Sequence, residues 1–336
     1  DSLACLPDGS CAMDMEVAYV SAAGTGNACT KASPCPLLVD ALAKNAPYVK
    51  IEADGAAKDT STVTIDGKTV TILAEPGAIL DRDGDGPILE VKGANADVAI
   101  YDLTFKGATG AAGADAVLLT PNGGVPKLAL TRVTIMSNQG TAVTALGGAI
   151  TITQSTISSN LGGGILVSGT GTTFTITNNI IVYNGAANGT AATQLGGIAV
   201  TANTSGAKLE WNTIALNQSD GTIYRGGLTC TGAMVSAAGN LIYRNSEPDG
   251  SGGLKTDDTT QRNATGCQFG NTLAVANDAG NLGFKSPGTP PIDFHLTASS
   301  PSTVVGAGGP CTGTDIDGDT RPIDGACDLG ADELHP

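Results

Sequence analysis

The chain repeats one phrase of apolar and polar positions: an aliphatic residue, two variable residues, an asparagine, a loop, then glycines and a second aliphatic run. Ile135-Met136-Ser137-Asn138 leads through Gly140 to Thr141-Ala142-Val143, and Ile157-Ser158-Ser159-Asn160 leads to Gly163-Gly164-Ile165-Leu166. Ile181-Val182-Tyr183-Asn184 leads to Gly196-Gly197-Ile198, and Ile214-Ala215-Leu216-Asn217 to Gly226-Gly227-Leu228. Ile242-Tyr243-Arg244-Asn245 followed by Gly252-Gly253-Leu254 reads as a fifth copy. The shortest step between these asparagines, Asn138 to Asn160, is 22 residues and the longest, Asn184 to Asn217, is 33. Periods of that size signal a solenoid.

Between the asparagines the pattern is period-two, as in Thr62-Val63-Thr64-Ile65, Thr69-Val70-Thr71-Ile72-Leu73 and Phe174-Thr175-Ile176. Such alternation predicts strands. Later coils are expected to open near Ile88, Ala116, Thr141, Gly164, Gly197, Gly227 and Gly253. Three short strands and three turns per repeat predict an all-β chain, a right-handed parallel β-helix of about eight coils.

The asparagines have a mechanical role in this scheme. Asn tolerates the left-handed backbone region at a tight bend, and its amide can bond to the Asn of the next coil. Asn138, Asn160, Asn184, Asn217 and Asn245 predict one ladder, and Asn179, Asn212 and Asn240 a second. The paired glycines are expected to supply positive φ and close backbone approach.

The one convincing helix is Pro36 to Lys44, whose leucines and alanines fall at helical spacing. A coil stack cannot end bare, because its last coil exposes apolar surface and unpaired strand edges. The helix therefore reads as a cap. The expected division is an N-terminal cap over 1–48, the β-helix over 49–270, and a loop-rich C-terminal cap over 271–336. In the last of these, Asp293-Phe294-His295-Leu296 could form a short strand along the side.

Eight cysteines fall into four sequence-local pairs: Cys5 with Cys11, Cys29 with Cys35, Cys230 with Cys267, and Cys311 with Cys327. Even count and spacing predict disulfides and an oxidising compartment. Neither a basic n-region nor an apolar h-region opens the chain, so the expectation is of an export signal already removed. The net charge of −15 argues against nucleic acid, which needs a basic stripe. No apolar run approaches the roughly 20 residues of a membrane span.

Two end motifs add a resemblance. Ala18-Tyr19-Val20-Ser21-Ala22-Ala23-Gly24-Thr25-Gly26 resembles the opening of many secreted β-helix proteins. Asp315-Ile316-Asp317-Gly318-Asp319-Thr320-Arg321-Pro322, with Asp328-Leu329-Gly330-Ala331-Asp332-Glu333, resembles the C-terminal block of bacterial choice-of-anchor β-helix proteins. The Ile-x-x-Asn and Gly-Gly repeats are similar to those of polymorphic outer-membrane proteins, within the pectate-lyase-like superfamily. The resemblance implies an exported bacterial protein, secreted or at the cell surface.

Chemistry is sparser. Two acidic runs invite calcium: Asp81-Arg82-Asp83-Gly84-Asp85-Gly86, and Asp315, Asp317 and Asp319 with Asp324 downstream. Carboxylates at alternate positions before a glycine resemble half of an EF-hand loop. Both runs are read as outside the repeat body, so an ion there is structural; the alternative is an acidic turn held by Asx bonds and Arg321. The superfamily offers lyases and glycoside hydrolases, which need a base beside a neutralised uronate or a carboxylate pair. The best candidate cluster is Glu210, Asp220, Arg225, Arg244, Glu247, Asp249 and Lys255, against the plainer reading of charges that solubilise loops. Trp211, Tyr224 and Arg225 are the candidate glycan-binding residues, on a variable loop edge that is longest at Gly185–Leu195. The function expected is non-catalytic: adhesion, matrix structure or glycan binding, with an extracellular glycan or matrix component as partner, and self-association through a poorly capped end left open. A polysaccharide lyase or glycoside hydrolase is the alternative.

Overall fold

The structure is a computed structural model that describes the chain except for residues 1–3, 7, 83, 111–113, 188–192, 203–205, 232–234, 264, 277–281, 289–291, 324 and 336. It divides into two compact units, Asp1–Thr151 and Ile152–Pro336. In each, the chain visits three sheets in turn and pairs every rung in parallel with the one before.

In the first unit the first sheet holds Val63–Asp66, Leu89–Lys92, Val117–Thr120 and Thr141–Ala145. The second holds Val17–Val20, Tyr48–Ile51, Thr69–Ala74, Asp97–Tyr101 and Lys127–Thr131. The third holds Ala56–Asp59, Ile79–Arg82, Thr104–Lys106 and Thr134–Met136. Two differences from expectation follow. The lead-in strand Val17–Val20 pairs with Tyr48–Ile51, so the sheet begins well before residue 49. Asp81 lies inside a third-sheet strand, not outside the repeat body.

The predicted helix is a shorter one, Leu38–Leu42, with Leu38, Ala41 and Leu42 buried. The carboxylate of Asp59 accepts from Leu38 N (3.1 Å) and Val39 N (3.2 Å), capping the helix from the third-sheet strand.

In the second unit the first sheet holds Gly163–Val167, Ile198–Val200, Leu228–Cys230 and Arg262–Asn263. The second holds Thr173–Thr177, Lys208–Glu210, Val235–Ser236 and Cys267–Gln268. The third holds Thr156–Ser158, Ile180–Val182, Thr213–Ala215, Leu241–Tyr243 and Leu273–Val275. Ile157, Ile181, Ile214 and Ile242 stack in register, and all are buried. The aliphatic of each Ile-x-x-Asn phrase thus builds one core column. This is a right-handed parallel β-helix.

The copy at Gly252-Gly253-Leu254 is not a coil opening. Glu247–Pro248 and Leu254–Lys255 pair antiparallel, making a hairpin. The chain re-enters the first sheet only at Arg262–Asn263, after the short helix Asp258–Gln261 capped by Asp257.

Both asparagine files form. Asn160, Asn184 and Asn217 each donate Nδ2–H to the Oδ1 of the next rung, at 2.9, 3.0 and 3.0 Å. Asn179 and Asn212 do the same toward Asn212 and Asn240, both at 3.0 Å. The first file ends on Gln261, whose Oε1 accepts from Asn245 Nδ2 at 3.2 Å. The left-handed residue, however, is the one before each Asn: Ser137, Ser159, Tyr183, Leu216 and Arg244 in one column, and Asn178 and Trp211 in the other. The glycines mostly serve close approach. A Cβ on Gly227 would stand 2.2 Å from Gln261 O and 2.8 Å from Asn245 Nδ2, with no positive φ there.

All four cysteine pairs are disulfides, joined as the spacing predicts. Cys5 is bonded to Cys11 and Cys29 to Cys35 in the lead-in. Cys230 is bonded to Cys267, linking a first-sheet strand to a second-sheet strand, and Cys311 to Cys327 within the tail. Cys35 is fully buried, and its N–H donates to Tyr19 O, so the second of these pairs lies directly against the lead-in strand. Among the described residues no helix is long and apolar enough to cross a membrane.

The third-sheet strands of the second unit break the alternation: Ile180–Val182, Thr213–Ala215 and Leu241–Tyr243 are buried on both faces. The tail covers their outer side. Leu282, Phe284, Phe294, Leu296, Val304, Leu329 and Ala331 form one cluster with Ile180, Val182, Ala215, Leu241 and Tyr243. Phe284 and Phe294 pack with ring centroids 4.9 Å apart. The tail is therefore a flank covering, where the sequence pattern predicts a second end cap.

Candidate functional site

The candidate acids and bases do not gather in one place. Arg225 Nη1 pairs with Glu247 Oε2 at 3.2 Å, and Glu247 is buried, its Oε1 accepting from Gly226 N. Asp220 accepts from Thr222 N and Oγ1 at 2.8 and 2.6 Å. Asp249 accepts from Ser251 N and Gly253 N at 2.7 and 2.9 Å, bonds that hold its pKa below the usual range. Lys255 faces Asp257 at 3.8 Å, and Arg244 lies over the Tyr243 ring. Tyr224 contributes its carbonyl to Ser219 Oγ. These side chains shape the two loops and the hairpin: Asx turns hold the bends and one ion pair ties loop to hairpin. Part of the long loop at 185–195 lies outside the described residues.

Glu210 sits instead on the second sheet, and Trp211 at the left-handed corner just after it. Parallel register sets Lys208 beside Thr175 and Glu210 beside Thr177, and Lys208 beside Ser236, which is beside Gln268. The outward row Thr175, Lys208, Ser236, Gln268 is thus hydroxyl, amine, hydroxyl and amide, about 4.8 Å apart. Glu210 Oε1 accepts from Ser236 Oγ. Thr175, Thr177, Asn178, Lys208, Glu210 and Trp211 line an open groove of about 430 Å³, closed on its far side by Pro310, Cys311 and Thr312.

Trp211 both packs and lines. Its ring meets Gly239 and Gly308 so closely that a Cβ on either would stand 2.3 or 2.5 Å from it, and the Arg321 guanidinium lies over it. What remains free borders the groove.

The described residues of the two acidic runs make hydrogen bonds and ion pairs of their own. Arg82 donates from Nε to Gly84 O at 2.9 Å, from Nη1 to Pro87 O and Thr62 Oγ1, and from Nη2 to Asp85 O. A guanidinium thus gathers the backbone carbonyl oxygens of this turn. Asp81 faces Lys58 at 3.9 Å; Asp83 lies outside the described residues. In the tail Asp315 is buried, and its oxygens accept from Asp317 N, Asp319 N and Glu333 N at 3.0, 2.8 and 3.1 Å. The carboxylates of Asp315, Asp317 and Asp319 do approach within 4.8 Å of one another, but the first is committed to the turn. Asp319 Oδ2 pairs with His335 Nε2 at 2.7 Å. Asp324 lies outside the described residues.

A second tail cluster escapes the sequence pattern. Lys285, Asp293, His295, Asp317, Asp332, Glu333 and His335 line an open pocket of about 410 Å³. The alternation of Asp293-Phe294-His295-Leu296 is its only signal: Phe294 and Leu296 face the core, so Asp293 and His295 face out. Burial pushes Asp332 up to about 6. Burial also pushes the His295 imidazole down, but Asp293, Asp332 and Asp317 outweigh it and raise its pKa.

Residues 115–282 match the family described as the right handed beta helix region. The chain belongs to the right-handed β-helix family. Among solved structures this β-helix is similar to the crystal structure of pectate lyase Pel9A, with a TM-score of 0.50 and 15% identity. The match covers 95% of this chain and 96% of that one, and it is a likeness of fold. No curated protein matches the β-helix in sequence.

Proposed function

We propose that this β-helix binds an extracellular glycan without turning it over, in the groove along Thr175, Thr177, Lys208, Glu210 and Trp211. One observation carries the reading. The groove combines an indole, an amine, hydroxyls and an amide, yet Glu210 is its one carboxylate among the described lining residues, and that carboxylate is held by Ser236. Aromatic side chains with a few fixed polar groups are the usual lining of such ligand sites. A glycoside hydrolase needs a second carboxylate at a set separation, and a lyase needs its base beside a neutralised uronate. Four disulfides support an oxidising, extracellular setting. The solved structure of similar fold is a pectate lyase, which makes acidic polysaccharides the first to test.

Trp211 is the only tryptophan in the chain, so its fluorescence reports on the groove directly. Titration with polygalacturonate, other acidic glycans and neutral glycans is expected to give a saturable emission change for one class, weakened by Lys208→Ala. No product is expected from absorbance of unsaturated uronates or from a reducing-end assay. Appearance of product moves the protein to the lyase or hydrolase reading; no response to any glycan ends the proposal.

A further inference from the structure

The chain has two histidines, and the fold takes both to the tail pocket. His295 Nδ1 stands 2.5 Å from Asp293 Oδ1, and Asp293 Oδ2 is 3.1 Å from Lys285 Nζ. A carboxylate on Nδ1 fixes the tautomer and turns the Nε2 lone pair to the other side. On that side Nε2 is buried and has no hydrogen-bond partner among the described residues, although Asp317 Oδ2 is 3.2 Å away. A buried polar atom without a hydrogen bond is rare and needs an explanation.

Asp332 completes the group. Its carboxylate is buried and oriented by one bond, from Leu296 N to Oδ2 at 2.6 Å. One ligand atom each from His295, Asp317 and Asp332 lies within 4.8 Å of the others. The 3.2 Å separation of Nε2 and Oδ2 matches an edge of a tetrahedron with bonds near 2.0 Å, roughly 3.3 Å.

We propose that His295, Asp317 and Asp332 form a binding site for a divalent transition metal of the zinc class, with Asp293 as the carboxylate that orients the ligating imidazole. One imidazole nitrogen with two carboxylates suits zinc, whereas calcium takes oxygen ligands in larger number. The site shares Asp317 with the Asp315, Asp317, Asp319 run but does not use the other two, because Asp315 serves its own turn and Asp319 pairs with His335. The three ligands come from separate stretches of the tail, so a bound ion cross-links it. The pocket beside these three groups is open to solvent.

The test is titration of the chelator-stripped, full-length protein with Zn²⁺, followed by calorimetry, and with Co²⁺, followed by visible absorbance. One saturable ion per chain is expected, with a rise of several degrees in melting temperature. His295→Gln should weaken binding at least a hundredfold and abolish the Co²⁺ band. Asp293→Asn should weaken it about tenfold to a hundredfold, the usual effect of losing an orienting carboxylate. His335→Gln should leave it unchanged. Melting in chelator controls for folding: each variant should match the metal-free wild type there. The inference is overturned if wild type binds no Zn²⁺, if His295→Gln binds as wild type does, or if binding follows His335 instead.

Discussion

The guanidinium of Arg321 lies over the Trp211 ring, 5.4 Å from its centroid, while Glu333 faces it from another side at 3.0 Å. Arg321 also donates to Asp328 O and Gly330 O at 3.2 and 2.9 Å. One buried cation thereby joins a strand corner of the β-helix to the end of the tail. Glu333→Gln removes the carboxylate that contacts this cation and leaves only the more distant charges of Asp315, Asp328 and Asp332, which should cost up to about 3–5 kcal/mol. Denaturant titration reads the loss, and a red shift in Trp211 emission reports release of the tail. An unchanged midpoint would show that the pair is not what holds the tail down.

The first asparagine file predicts a graded series. Asn217 accepts from Asn184 N and Nδ2, and donates to Asn245 Oδ1 and Ile181 O. Asn217→Ala strands several buried partners, each worth roughly 1–3 kcal/mol when unmade. The expected destabilisation is at least about 3 kcal/mol. Asn263→Ala, on the half-buried end strand, should cost far less in the same thermal or chemical melt.

Because the left-handed residue precedes the asparagine, some substitutions should stabilise. Ser159 is exposed and has φ 58°, a conformation that costs an L-residue about 1–2 kcal/mol. Ser159→Gly relieves that cost and loses part of it to unfolded-chain entropy, for a net gain of about 0.5–1 kcal/mol. Ser159→Val should go the other way. A left-handed position at the asparagine itself would reverse the pattern, with Asn160→Gly the tolerated change.

Tyr19 provides a pH test in the N-terminal unit. Burial, with a hydrogen bond to Asp14, raises its phenol to about 12. The unfolded phenol ionises near 10, so the neutral native form contributes fully below that. The contribution is lost as pH climbs from about 10 through about 12, amounting to roughly 1–2 kcal/mol after solvent screening. Urea midpoints across that range should fall less steeply in Tyr19→Phe. Parallel profiles for variant and wild type would assign the alkaline loss elsewhere.

The coil body is legible in the sequence because its contacts are periodic. Ile157, Ile181, Ile214 and Ile242 announce a column by recurrence, and the asparagines announce their files the same way. The sequence misleads where recurrence is accidental or stops. Gly252-Gly253-Leu254 copies the phrase, yet Asp249 holds it in a hairpin. The left-handed column varies through Ser, Tyr, Leu and Arg, so composition alone cannot mark it. Tail contacts such as Gln154 Nε2 to Asp315 O, 2.7 Å apart in space and 161 positions apart in sequence, have no local signature. His295, Asp317 and Asp332 likewise meet only in space, with the alternation around His295 as the one local hint. Charge alone groups Glu210 with the loops, whereas strand register directs it to the groove face.

The tail meets the β-helix at Gln154, Asn178, Thr213 and Gly239, which occupy successive coils. Such a strap works as a measuring stick. A duplication or deletion of one coil between those points would shift every later anchor by a full rung, about 4.8 Å, against a tail of unchanged length. Coil number in this stretch can therefore change only together with the tail, so a segment that looks like irregular trailing sequence sets how far the regular part may grow.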